Sequence, residues 1–379
     1  MKIYFYLKHF SPYGERPIGG TSTIIHGLAT GLVACGADVT ILCERQNASS
    51  FQTDIGYKIE CFSNHNEAPS FAISPELKQY FRNYISEKNN TIVVINGTFH
   101  PSVYSVSRLL KRLKVPYIAA PLDIYHPAML KKNSHLKWPY WHLFEKRMLR
   151  DSKAVQLYDR RHAKWLQKLE INNPIIEAPG GFLLEDVPAE SSLKWREHKA
   201  SKFFFFGRVD THHKGLDILL DAFAQIAGAT NATLTIQGPG QRDKDKLQKK
   251  ATRLVSKDRV TFLEPDYDSS SLIISKYDIF CLPSRFEGFG LSALEAMLAG
   301  RVLLVSEVAG IAPHVRASGC GVVVTPEVAA IKDGLMELLS VRSEWKEMGL
   351  KGRRYAIDNL HWNKIAAAAL KHYEQMFDS

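Results

Sequence analysis

Short apolar runs alternate with helix-period segments along nearly the whole chain, the pattern of strands laid side by side with helices between them. MKIYFYLKHF reads as a first strand, SPYGERPIGG as a Pro/Gly-rich loop, and TSTIIHGLATGLVACG as a helix with apolar residues at Ile24, Ile25, Leu28, Leu32 and Val33. Thr21 or Ser22 is placed to cap that helix. ADVTILC follows as a strand, then strand 57–62, helix 75–87, strand 91–96, helix 101–113 and strand 116–120. Around 178–199 the periodicity dissolves into Pro, Gly, Ser and charge, which reads as a linker. A second series opens with SKFFFFG, a run suited to a central strand buried on both faces. It continues as helix 215–228, strand 232–237, helix 242–255, strand 259–263, helix 269–276, strand 278–282, helix 290–299, strands 301–305 and 320–324, and three closing helical stretches. Strands alternating with helices in two successive series predict an α/β chain with two doubly wound parallel sheets.

The stretch DIFCLPSRFEGFGLSALEAMLAG at 278–300 concentrates the candidate chemistry. Its strand breaks at Pro283-Ser284, and Gly288 and Gly290 let backbone amides approach a ligand just before a helix starts, the way a helix N-terminus is presented to an anion. Between Gly290 and Gly300 only Ser292 and Glu295 are polar, which predicts a helix buried on nearly every face with Glu295 inside the protein. Its helical neighbours Leu291, Leu298 and Ala299 cannot pair with a carboxylate. Two partners would satisfy it: a basic residue from elsewhere in the fold, or the vicinal hydroxyls of a sugar or ribose gripped by its two oxygens.

Length and composition narrow the setting. The 379 residues favour two or more domains, and 45% hydrophobic with 23% charged residues is ordinary for a globular protein. Five cysteines at 35, 43, 61, 281 and 320 form no Cys-x-x-Cys pair, and reduced thiols in a cytoplasmic setting are their simplest account. Residues 1–8 start a strand pattern without the features of a signal peptide, and no apolar window is long enough to span a membrane. The net charge of +10 favours nucleotides, polyanions or an anionic membrane surface without choosing among them. From Met129 to Lys168, eleven Lys/Arg face three acidic residues, with Trp138, Tyr140, Trp141, Phe144 and Trp165 interleaved. Such a stretch either docks on an anionic membrane face or lays its aromatics inward beneath a solvated basic surface.

The loop after SKFFFF, Gly207-Arg208 through Lys214-Gly215, lies at the C-terminal end of a strand, where open α/β sheets bind ligands. Arg208 and Lys214 would clamp a diphosphate and neutralise a leaving group without a metal. His212 and His213 have no third ligand in sight and are not read as a metal site. Gly238-Pro-Gly240 follows a strand as a dinucleotide loop does, but Asp243 stands where a third glycine belongs, which argues against a nicotinamide enzyme. The Asp-x-Asp pairs Asp243/Asp245 and Asp266/Asp268 read as capping and solvated residues rather than cation ligands.

Gly207-Arg208, Lys214-Gly215 and EGFGLSALEAMLAG with its Glu-x7-Glu spacing resemble the retaining family 4 glycosyltransferases of the GT-B fold. Looser similarity extends to the Gly19-Gly20 loop, EKRMLRDSKAV at 145–155 and HWNKIAAAALKHYEQMF at the end. The resemblance implies two Rossmann-like domains facing a cleft: an acceptor-side domain at 1–185, a nucleotide-sugar domain at 186–360, and a last helix at 361–379 returning to the first. It implies a UDP- or GDP-sugar donor, no cofactor or metal, and a glycan or lipid-linked acceptor. Carried over, Arg208 and Lys214 hold the diphosphate, and Glu287 holds the donor sugar with the backbone of Phe289, Gly290 and Leu291. Glu295 holds ribose hydroxyls, and Gly207, Gly19 and Gly20 line the donor.

One departure bears on catalysis. Relatives commonly carry Pro-His-Gly where this chain reads Pro121-Leu122-Asp123, so either Asp123 or His126 compensates on the acceptor side, or catalysis is weakened, or the acceptor chemistry differs. The leading expectation is therefore a glycosyltransferase in polysaccharide, glycan or glycolipid biosynthesis, cytoplasmic and peripheral at a membrane face. The alternative is a non-catalytic sugar-nucleotide-binding partner. A nucleic-acid module would rest on the charge alone and lacks a motif.

Overall fold

The computed structural model describes residues 1–10, 20–66, 68–85, 90–121, 125–193, 195, 200–266 and 269–376. Two compact units emerge: Met1–Gly181 with Trp362–Ser379, and Phe182–His361. The first division falls at Gly181/Phe182 rather than 185/186, just inside the stretch read as a linker.

The first unit holds β1 (Lys2–Tyr6), β2 (Asp38–Arg45), β3 (Ser49–Gln52), β4 (Lys58–Ser63), β5 (Thr91–Asn96), β6 (Tyr117–Ala120), β7 (Ala154–Leu157) and β8 (Ile175–Glu177), in the order β3-β4-β2-β1-β5-β6-β7-β8. Only β3 runs antiparallel, at the edge against β4. The chain goes from β1 outward to β2 and then returns to place β5 on the other side of β1, so the order reverses at β1/β5. The helix Gly20–Ala34 packs on the last helix, Trp362–Gln375. Gly27 and Gly31 permit that approach: a Cβ on Gly27 would lie 1.9 Å from the Trp362 indole nitrogen. Tyr373 is buried and donates from its hydroxyl to the Gln156 side chain, tying the last helix to β7.

The second unit is an all-parallel sheet: β9 (Lys202–Phe206), β10 (Thr233–Gln237), β11 (Val260–Leu263), β12 (Ile279–Leu282), β13 (Val302–Ser306) and β14 (Gly321–Val324), ordered β11-β10-β9-β12-β13-β14. β9 is central, as its phenylalanine run predicts, with Phe203, Phe204 and Phe205 fully buried. Phe204 stacks on Tyr277, ring centroids 3.8 Å apart.

Several elements differ from the pattern-based reading. The stretch expected as helix 75–87 is a short helix, Pro75–Tyr80, followed by a π-type turn at Phe81–Ile85. β7 lies inside the basic aromatic stretch, where flanking charge masks its four residues. The edge strand β3 and the helix Ala312–Ser318 are too short to show a period. Gly238 and Gly240 are required by backbone packing: a Cβ on Gly238 would lie 1.9 Å from the Gly207 carbonyl oxygen, and one on Gly240 2.3 Å from that of Val209. They let the loops after β9 and β10 touch. Asp243 accepts from the amide and hydroxyl of Thr211, both at 2.9 Å, and Asp245 from Gln241. Asp268 lies outside the described residues.

Candidate functional site

β9 and β12 are neighbours and parallel, so their C-terminal ends open on the same sheet edge. That adjacency brings together two loops distant in sequence, 207–215 and 283–290. The short helix Thr211–Lys214 begins at Asp210, whose carboxylate accepts from the His213 amide at 2.9 Å. It ends at Gly215, φ 64°, where a Cβ would lie 2.2 Å from the Pro283 carbonyl oxygen. Only glycine lets the turn sit down on the second loop. Arg285 then joins the two: its amide donates to the His213 carbonyl (2.9 Å), and its guanidinium to the Thr211 carbonyl (2.8 Å) and to both oxygens of Asp217 (2.8 Å each). A bidentate guanidinium–carboxylate pair fixes orientation as well as charge.

On this frame the Lys214 ammonium lies 2.5 Å from Oε2 of Glu287, which also accepts from the Ser284 hydroxyl at 3.0 Å. Both charged side chains are largely buried. Burial alone would raise the Glu287 pKa; Lys214, His213 and Ser284 outweigh it and hold the carboxyl below its usual range. Arg208 is exposed and donates toward Nδ1 of His213 at 3.2 Å. The His213 ring lies flat on Phe286, centroids 4.3 Å apart, and its Nε2 stands 3.8 Å from Glu287 Oε2, beyond hydrogen-bond length. Burial pushes the His213 pKa down to about 4, with Lys214 and Arg208 adding to the shift and Glu287 opposing it. The imidazole is therefore neutral at pH 7.

Gly290 precedes the helix Leu291–Leu298. The amides of Gly290 and Leu291 fall where a helix supplies no acceptors of its own. Phe289 is buried, and its carbonyl accepts from the Ile311 amide at 2.9 Å. Gly207 donates its own amide to the Gln237 carbonyl at 3.0 Å, so it shapes the loop rather than offering a free N–H. The helix Leu291–Leu298 is not buried on every face, as its composition suggested: Leu291, Ser292 and Glu295 share a partly open face while Ala293, Leu294, Ala296, Met297 and Leu298 are buried. The 291/295 and 292/295 spacings put those three on one stripe. Glu295 has a hydrogen bond from Ser270, and among the described residues no basic side chain pairs with it. Burial raises its pKa to about 7, with Asp186 adding to the shift and Ser270 opposing it.

In the first unit the candidate residues are more dispersed. Gly20 opens its helix and is exposed, while Gly19, Leu122 and Asp123 lie outside the described residues. His126 caps the helix Pro127–Lys131 by accepting from the Ala128 amide at 3.1 Å and packs edge-on to Trp165. Burial, then His162, Lys164 and Lys168, lower its pKa to about 4. The C-terminal ends of β1 and β2 carry a polar network that sequence reasoning missed. Glu44, fully buried, accepts from Tyr6 (2.8 Å), Lys8 (3.3 Å), the Ser74 amide (3.0 Å) and Asn64. Beside it lies a cavity of about 370 Å³ whose lining includes His9, Arg45 and Asn66. Glu145, also buried, bridges Tyr125 (2.6 Å) and the Phe99 amide (3.0 Å), two residues held at φ 48° and 53°.

Two doubly wound parallel sheets, with a cation pair and a glycine-gated helix start on the C-terminal edge of the second, define a glycosyltransferase architecture of GT-B type. Likeness to solved structures supports the fold across the whole chain. Sucrose-phosphate synthase from Thermosynechococcus elongatus superposes with a TM-score of 0.79 at 18% identity, covering 100% of this chain and 99% of that one. HepE from Anabaena, in a structure with UDP and glucose, gives 0.70 at 17% identity over 99% and 100%. The model of Glycosyltransferase Family 4 matches residues 18–182, and that of Glycosyl transferases group 1 matches 200–341. The chain belongs to the family 4 glycosyltransferases. It is 27% identical over 223 residues to phosphatidyl-myo-inositol mannosyltransferase from Mycobacterium tuberculosis, a match spanning 57% of this chain and 58% of that relative.

Proposed function

We propose that this protein transfers a sugar from a nucleoside-diphosphate sugar to an acceptor hydroxyl, with retention, in glycan, polysaccharide or glycolipid biosynthesis. The observation that carries the reading is the sheet edge where Arg208, Lys214 and Glu287 meet, beside a Glu295 that no cation of the described protein neutralises. Arg208 and Lys214 stabilise the charge that grows on the diphosphate as the glycosidic bond breaks, which makes a metal unnecessary. The departing phosphate oxygen takes the proton of the incoming hydroxyl while the acceptor oxygen bonds to the sugar from the same face. Glu287 and the amides at Phe289, Gly290 and Leu291 orient the sugar. Two ribose hydroxyls donating to Glu295 favour its ionised form. The Anabaena structure with UDP and glucose, and the mycobacterial relative's name, support a sugar-nucleotide donor and a lipid or polyol acceptor.

Mass-spectrometric screening of UDP- and GDP-sugars for hydrolysis and transfer, with and without chelator, tests the proposal. Turnover abolished by chelation would remove the metal-free clamp, and inversion at the anomeric carbon would remove retention. Sugar-nucleotide binding without single-turnover transfer would favour a non-catalytic partner instead, the reading that Leu122 in place of the usual histidine keeps open.

The acceptor side is proposed to work at the cytoplasmic face of an anionic membrane. The helix Ser134–Tyr140 buries none of its residues, and Leu136 and Leu143 are 64% and 63% exposed beside exposed Trp138, Lys131 and Lys132. An amphipathic basic surface of that kind docks at headgroup depth. Lys137 does not join it, because its ammonium turns inward to the Met129 carbonyl at 2.6 Å. No helix among the described residues is long and apolar enough to cross a membrane. Co-sedimentation with anionic and neutral vesicles decides the matter: equal, salt-insensitive recovery with both would end the idea.

A further inference from the structure

His213 has a connection the transfer reaction as described does not use. Its Nε2 is buried and without a hydrogen-bond partner, yet it faces the Glu287 carboxylate at 3.8 Å. Its Nδ1 is occupied by Arg208. Stacking on Phe286 and the backbone bonds to Asp210 and Arg285 fix the ring between those two partners. A buried N–H left unpaired is costly, so its persistence needs a reason.

The reason lies in the pairing beside it. Lys214 neutralises Glu287 at 2.5 Å, so the two groups assigned to different parts of the donor are paired with each other in the structure. For Lys214 to reach a phosphate it must loosen its hold on Glu287, and a largely buried carboxylate would then keep only the Ser284 hydroxyl. Losing one partner of a buried ion pair is strongly unfavourable unless another donor replaces it. His213, its buried Nε2 unpaired and 3.8 Å from the carboxylate, is placed to be that donor.

We propose that His213 is the exchange partner of this site: when a nucleoside diphosphate draws Arg208 and Lys214 onto its phosphates, the imidazole, freed from Arg208, protonates and takes over Glu287. Donor binding is thereby coupled to proton uptake from solvent. The proposal rests on the reading of this edge as the diphosphate site. The charged groups facing the ring support the sign. Lys214 and Arg208 oppose its protonation, while Glu287 and Asp210 favour it. Phosphate compensates the two cations and leaves the two anions, so the ring becomes more basic on binding. The histidine's share of the affinity then rises as pH falls from neutrality toward the histidine range, opposite in sign to the share from Glu295. His213 acts here as a positioning residue, holding Glu287 in place for the sugar.

Titration calorimetry with UDP-glucose, or GDP-mannose where UDP-glucose does not bind, at about pH 6 in buffers of low and high ionisation enthalpy reads the coupling directly. The diphosphate diester of either probe holds no proton in that range, so a proton taken up belongs to the protein. Ribose contact makes Glu295 give up a proton in wild type and variant alike, so the histidine is read as a difference: wild type is expected to take up more protons, or release fewer, than His213→Gln. His213→Gln, whose amide can accept from Arg208 and donate to Glu287 but cannot titrate, should bind within several-fold of wild type with that part of the uptake lost. His213→Phe, which can do neither, should bind about tenfold or more weakly, one lost charge-assisted bond. Glu295 titrates equally in wild type and His213→Gln, so the difference between them isolates the histidine, and matched melting curves confirm that His213→Gln is folded. The same net proton exchange in wild type and His213→Gln would overturn the proposal. Failure of wild type to bind either nucleotide sugar would instead overturn the diphosphate site itself, and the exchange with it.

Discussion

The C-terminal edges of the two sheets bury carboxylates in opposite ways. In the first unit Glu44 and Glu145 are each closed off by the protein: Glu44 by a lysine, a tyrosine, an asparagine and an amide, Glu145 by a tyrosine and an amide. In the second, Glu287 shares its charge with a lysine that has other work to do, and Glu295 has one serine. Burial by itself does not mark a ligand site. What distinguishes the second edge is an incomplete set of partners at a place where backbone amides are also open.

The largest test of this contrast is the same substitution made on both sides. Glu44→Ala strands the buried Lys8 ammonium, leaves the Tyr6 hydroxyl with Ser102 alone, and should cost about 3–5 kcal/mol in urea unfolding. Glu295→Ala should cost nothing or stabilise, yet lower donor affinity by about a hundredfold or more, since the two ribose hydroxyls lose their acceptor. A Glu295→Ala protein that binds sugar nucleotides like wild type would dissolve the contrast. Next in size, Arg208→Ala and Lys214→Ala should each lower kcat by about a hundredfold, because both act on charge that develops in the transition state. A rise confined to the donor KM would show that they bind ground state and transition state alike.

How far the sequence reveals these sites follows from how local they are. The second edge is built from two loops whose glycines, cations and acids are contiguous in sequence, so Arg208, Lys214, Glu287 and Glu295 can all be picked out before folding. What escapes is the work of ordinary residues made special by pairing: His213 reads as one of two unremarkable histidines, and the Arg285–Asp217 anchor joins residues 68 apart. Gly238 looks like part of a nucleotide motif because close approach between two loops demands the same residue as close approach to a phosphate. The first edge is harder still. Glu44 lies on β2 while Asn64 and Ser74 sit at the two ends of the connection after β4, and Glu145 reaches Phe99 and Tyr125 from a helical segment whose charge pattern suggests a solvated surface. The central strands were legible because a buried parallel strand is apolar throughout; β7 was not, because its four residues sit between a basic helix and a basic turn.

The smallest effect, and the one that sharpens the contrast without removing a side chain's shape, is in pH. Burial raises Glu295 to about 7 against 4.5 for an ordinary glutamate, and Glu145 likewise. Between those values the folded chain holds protons that the unfolded chain has released, so stability falls as pH rises through 7. His213 and His126, displaced to about 4 from 6.5, act with the opposite sign, but only below about pH 6.5 where the unfolded histidines begin to charge. Above that range Cys61, held down to about 6 by its hydrogen bond with Cys43, opposes the glutamates, but equally in wild type and in Glu295 variants. Lowering pH from about 8 to 6.5 should therefore stabilise wild type more than Glu295→Gln, by about 0.5 kcal/mol once the Glu295 share is reduced for its partial exposure. Saturating sugar nucleotide should flatten the wild-type slope to that of Glu295→Gln, because ribose hydroxyls that donate to the carboxylate return its pKa toward the ordinary range. A slope unchanged by both substitution and ligand would mean that Glu295 already has its partner in the protein.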